Sequence, residues 1–87
     1  MDDSTCLEHI QQGGRLARTA ITTLRERYPR KFYKYLQGRR FSLSHEKSED
    51  IVQETFIRLI QLQGKPFNLP VYPKAWLYRI LYYSHGR

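Results

Sequence analysis

The chain has 87 residues, a single cysteine and a formal charge of +7, with 40% hydrophobic and 26% charged residues. That length suits one domain, 1–87, with a modest core, and one thiol excludes an internal disulfide framework. There is no run of about 18 apolar residues and no signal-peptide pattern, so membrane spanning and export are not expected and a cytoplasmic protein is.

Apolar residues recur at helical rather than alternating spacing, which predicts an all-α bundle of four or five helices. Ser4 or Asp3 is placed to cap a short first helix carrying Leu7 and Ile10, and Gly13 and Gly14 should end it. Leu16, Ala17, Ala20, Ile21, Leu24 and Tyr28 then form the inward stripe of a second helix. Pro29 has no amide hydrogen to donate, so it belongs in the first turn of a third helix from Arg30 to about Arg40, with a corner at Tyr28 and Pro29. Residues 41–45 read as a connection. Ser44 is a candidate cap and Glu46 lies favourably near a helix start. The fourth helix carries Ile51, Val52, Thr55, Phe56, Leu59 and Ile60 toward Leu62, with Gly64 as its stop. Pro66 and Pro70 make 65–72 a structured loop. Pro73 opens the last helix, whose Trp76, Leu77, Ile80 and Leu81 are expected to face inward.

Charge is distributed in blocks. Residues 1–14 carry a net −3, 15–40 a net +8 and 46–60 a net −2, while the stretch from Gln61 carries four basic residues and no acid. Such bipolarity suits a polyanion on one side and a different partner on the acidic face. No nucleophile–base pair or phosphate-cradling glycine loop can be assembled, and Cys6, His9, His45 and His85 are too dispersed for a metal site. A binding protein without cofactor is therefore expected rather than an enzyme. Two aromatic groups lie among basic residues: Phe32, Tyr33 and Tyr35 with Arg30, Lys31 and Lys34, and Phe67, Tyr72, Trp76, Tyr78, Tyr82 and Tyr83 with Lys74 and Arg79. About half of these rings must fill the core, Trp76 first among them; the others could stack on unpaired bases while cations follow the phosphates.

The string Ser48-Glu49-Asp50-Ile51-Val52-Gln53-Glu54-Thr55-Phe56-Ile57-Arg58-Leu59 resembles region 2.2 of bacterial sigma factors, particularly the extracytoplasmic-function group. Pro73-Lys74-Ala75-Trp76-Leu77-Tyr78-Arg79-Ile80 is similar to the stretch that opens that family's promoter-reading helix. Tyr28-Pro29-Arg30 with Phe32-Tyr33 resembles its first helical pair. The likeness covers roughly 16–80, and two long motifs in the right order are more specific than either alone.

The resemblance implies a sigma region 2 module that binds RNA polymerase core and recognises and melts the −10 promoter element. By it, Asp50, Gln53, Glu54 and Ile57 would dock on the clamp-helix coiled coil of the largest polymerase subunit. Lys65, Phe67, Asn68 and Tyr72 would hold a base of the non-template single strand, and Lys74, Tyr78 and Arg79 would contact phosphates and the upstream duplex edge. Two departures stand out. Leu81-Tyr82-Tyr83-Ser84 replaces the usual Ala-Arg-Asn and a following aspartate, and the family's second domain, a helix-turn-helix module, is absent from these residues. The alternatives are a sigma-like interaction module that binds an anti-sigma protein or competes for polymerase, and a general basic nucleic-acid-binding helical domain.

Overall fold

The computed structural model describes residues 1–38 and 41–85. Among them are five helices and no strand: α1 (Asp3–Gln12), α2 (Gly14–Arg27), α3 (Pro29–Gln37), α4 (His45–Gln61) and α5 (Pro73–His85). The all-α bundle expected from the spacing is what forms.

Local chemistry sets most of the boundaries. Asp2, rather than Ser4 or Asp3, caps α1, its carboxylate accepting the Thr5 amide at 2.8 Å. That bond, with the Thr5 backbone foremost, holds the Asp2 carboxyl below its ordinary value. Gly13 ends α1 at φ 82°, ψ −171°, a region open almost only to glycine, and its amide donates back to the His9 and Ile10 carbonyls. The corner between α2 and α3 is where proline placed it. Tyr28 donates its amide to Leu24 at 2.9 Å, and Pro29 takes the first position of α3, where a missing donor costs nothing. The expected extension of α3 to Arg40 falls outside the described residues; α3 ends at Gln37, where Gly38 turns extended. Ser44 caps α4, its hydroxyl accepting the Lys47 amide at 3.2 Å.

The core gathers Leu7 and Ile10 of α1, Leu24 of α2, Tyr28, Phe32 and Leu36 around the α2–α3 corner, Ile51, Val52, Phe56 and Leu59 of α4, and Leu77 and Leu81 of α5. Tyr28 and Phe32 stack with centroids 5.1 Å apart, and Phe32 meets Phe56 at 6.0 Å. Small hydroxyl residues let α4 and α5 approach: buried Thr55 donates to Ile51 O at 2.8 Å, and its oxygen lies 3.4 Å from Ser84 Oγ.

Two stripe assignments need correction. Leu16 is 45% and Ile60 42% exposed, because each sits roughly 100° around its helix from the neighbour that is buried, Ala17 or Leu59. A third concerns Trp76, which is half-buried and lies on the flank of α5 against the loop rather than in the core. No helix among the described residues is long and apolar enough to cross a membrane.

Candidate protein-docking and nucleic-acid surfaces

On α4 the residues flanking the buried stripe divide into two strips. Val52 and Phe56 lead outward to Gln53, Ile57 and Ile60, which border a groove of about 400 Å³ walled on its far side by Arg25, Pro29 and Tyr33. Asp50 and Gln53 are exposed beside Ile57, which is 46% exposed. Glu54 lies on the other strip. It is half-buried, with its carboxylate 3.8 Å from Arg58 Nε, because it is displaced by roughly 100° from Gln53. Of the predicted docking residues, Gln53 and Ile57 border the groove, Asp50 is exposed outside its lining, and Glu54 is set apart from it. The groove can take an apolar side chain between the Arg25 cation and the Gln53 amide, which suits an apolar anchor on a helical partner.

The loop 65–72 is held from an unexpected direction. The Gly64 amide donates to Ile10 O at 2.9 Å, and the Gln11 side-chain amide donates to the Phe67 carbonyl, so the end of α1 fixes the loop's start. Gly13 and Gly64 pack backbone against backbone: a Cβ on Gly13 would sit 3.0 Å from Gly64 Cα. Sequence reasoning missed Gln11, whose partner is 56 residues away, and no local signal marks such a bond. Past this anchor, Phe67 stacks on Trp76 at 5.5 Å with planes 12° apart.

The remaining predicted nucleic-acid residues fall into distinct settings. Lys65, Asn68, Lys74 and Arg79 are exposed, and Tyr72 is 75% exposed. Tyr72 and Arg79 border, with Pro70, Val71 and Trp76, a hollow of about 170 Å³. Lys65 borders another, about 330 Å³, with Arg58, Trp76, Ile80 and Tyr83. Asn68 lines neither. Tyr78 is half-buried, its ring edge-on to Phe32 at 5.2 Å and to Tyr35 at 5.1 Å, and burial pushes its phenol ionisation up. Its ring supports the core, so any role on DNA is limited to the hydroxyl edge.

Compared with family models, curated proteins and solved structures, the chain matches none. From Thr55 onward the chain contains no Asp or Glu, and neither does the stretch from Arg27 to His45. These two acid-free stretches include α3, the loop and α5, whereas Glu46, Glu49, Asp50 and Glu54 all lie on α4. Among the described residues no three of His, Cys, Asp and Glu gather as a metal site would require.

Proposed function

We propose that the protein is a sigma region 2-like module that docks on RNA polymerase core and holds the displaced, non-template strand of a −10 promoter element. The observation that carries the reading is the separation of two unlike surfaces. An acidic helix, α4, exposes Asp50 and borders an apolar groove with Gln53 and Ile57, whereas the loop and α5 present exposed rings and cations with no acid. The acids of α4 suit a basic helical partner by steering, and the neighbouring groove supplies apolar area for affinity. Exposed aromatic rings beside Lys65, Lys74 and Arg79 suit unpaired bases on a phosphate chain. The order of the two motifs, Ser48–Leu59 before Pro73–Ile80, supports the same division.

Opening a duplex costs a few kcal/mol per unstacked base, and capture of the extruded base offsets that cost and supplies selectivity. Tyr72, Trp76 and Arg79 border the hollow where a base would enter, while Asn68 offers both a donor and an acceptor at the loop surface. The test is selection from a randomised single-strand pool by the protein with polymerase core present. A preferred short sequence should emerge, and Asn68→Ala should lower discrimination by roughly 1–3 kcal/mol with little change in salt dependence. If no sequence is preferred, the basic helical nucleic-acid binder is the better description.

A further inference from the structure

The hollow of about 330 Å³ that Lys65 borders shares Trp76 with the loop hollow and is otherwise walled by different residues. Arg58 precedes Gln61 and Leu62 by three and four residues on α4, and Trp76, Ile80 and Tyr83 follow at four and three on α5, so one face of each helix lines it. Leu62, Trp76 and Ile80 are half-buried and already packed against the core, which makes the apolar floor rigid before any ligand arrives and lowers the ordering cost of binding. Arg58 and Lys65 are the charged residues of the lining, and no acid is among them. Glu54 lies 3.8 Å from Arg58 Nε, longer than a hydrogen bond, and does not line the hollow. Among the described residues no acceptor reaches that buried Nε. A buried donor left unpaired is costly, so this guanidinium has capacity for an anion.

We propose that this hollow binds a small arylalkyl carboxylate, its apolar body between Leu62, Trp76 and Ile80 and its carboxylate on Arg58 and Lys65. The volume lies at the lower end of the roughly 300–1,000 Å³ of ligand clefts, which suits a small molecule. A planar guanidinium takes a carboxylate through two parallel bonds. Apolar walls with two cations favour a compact monoanion over a phosphate ester, whose additional charge and hydration such walls do not replace. Asn68, Tyr72, Lys74 and Arg79 line no part of this hollow, and the inference does not rest on the function proposed for them.

The experiment titrates the full chain, at low salt and without polymerase or nucleic acid, with 4-phenylbutyrate. Trp76 is the sole tryptophan and walls the hollow, so its emission reports occupancy, and calorimetry gives the stoichiometry. Saturable binding of one molecule per chain is expected, with a Kd of about 1 mM or tighter, as the ligand efficiency of so small a molecule sets. Two analogues on the unchanged protein separate the contributions: 4-phenylbutanol, which lacks the charge, and butyrate, which lacks the ring, should each bind at least ~10-fold more weakly. Arg58→Gln/Lys65→Gln should lose at least ~10-fold while circular dichroism shows the fold retained. Arg15→Gln/Arg18→Gln removes the same charge from exposed positions on α2 and should leave the affinity unchanged. Absence of saturation near 1 mM overturns the proposal, as does equal binding of the alcohol or equal loss in the two double variants. Tighter binding of thymidine monophosphate would give the hollow to nucleic acid and overturn the assignment to a carboxylate.

Discussion

Replacing Gly13 by alanine should injure both the fold and the nucleic-acid loop, although Gly13 touches neither a partner nor the core. Its backbone, at φ 82° and ψ −171°, costs an L-residue about 1–3 kcal/mol. The added Cβ would also lie 3.0 Å from Gly64 Cα and 3.2 Å from Gly64 N, and backbone on both sides leaves no side chain to rotate away. Overpacking of that kind costs about 1–3 kcal/mol more. Restriction of the unfolded chain by alanine returns about 0.4–1 kcal/mol. The net loss is roughly 1–5 kcal/mol, about 3 at the midpoints, a large part of the roughly 4–13 kcal/mol that 87 residues provide. Urea unfolding followed by circular dichroism should show the midpoint falling by about 3 M, with a slope near 1 kcal/mol/M. Gly14→Ala is the matched control. Gly14 also has positive φ, 65°, but its Cβ would meet no heavy atom within 4 Å, so the loss should be only about 1 kcal/mol. Trp76, the one tryptophan, reports on the loop through its stack on Phe67. Gly13→Ala should red-shift its emission in the folded protein and Gly14→Ala should not. Equal destabilisation of the two variants with unchanged emission would refute the account of the α1–loop contact.

Two further outcomes follow from the caps and the buried phenol. Ser44→Ala removes the acceptor of the Lys47 amide and should cost ~1 kcal/mol, seen as faster hydrogen exchange in the first turn of α4 with the rest of the helix retained. Tyr28 donates its hydroxyl to Asp3, which also receives Arg27 Nη1 at 2.6 Å; Tyr28→Phe should therefore lose about 1–3 kcal/mol in chemical denaturation at neutral pH. Burial first, then that bond, pushes Tyr28's ionisation well above the ordinary 10.0. The folded state keeps a proton that the unfolded chain releases, so this stabilisation is complete below pH 10 and declines above it by about 1.4 kcal/mol per pH unit. Tyr33 and Tyr78 are shifted the same way by burial, so Tyr28→Phe should shallow the alkaline slope without abolishing it; an unchanged slope above pH 10 would exclude Tyr28 as a contributor.

Features fixed by near neighbours in sequence were legible. Pro29 and Pro73 start helices because a residue without an amide donor fits best there, and Ser44 caps because its oxygen reaches an amide three residues on. Features that need the partner surface were not. Leu16, Ile60 and Trp76 sit on the margins of their stripes, where an apolar residue can face core or solvent, and only the position of the neighbouring helix decides. The same holds for the docking face: three- and four-residue spacing grouped Asp50, Gln53, Glu54 and Ile57, but the groove runs along one flank, bordered by Gln53 and Ile57 and by neither acid. The Gln11 bond and the Tyr35–Tyr78 contact join distant segments, which periodicity does not encode.

The most direct measurement of the central claim is titration of a fluorescently labelled chain with purified bacterial RNA polymerase core. Saturable binding should appear and weaken with added salt, since exposed charges are screened over about 8 Å at physiological ionic strength. Asp50→Ala/Gln53→Ala/Ile57→Ala should bind at least ~10-fold more weakly, because truncating contacts at the centre of an interface costs more than about 1 kcal/mol each where they matter. All three side chains are exposed, so the variant's unfolding midpoint should stay near that of wild type. Absence of core binding, or full affinity in a folded triple variant, would contradict the assignment of α4 as the polymerase-docking helix.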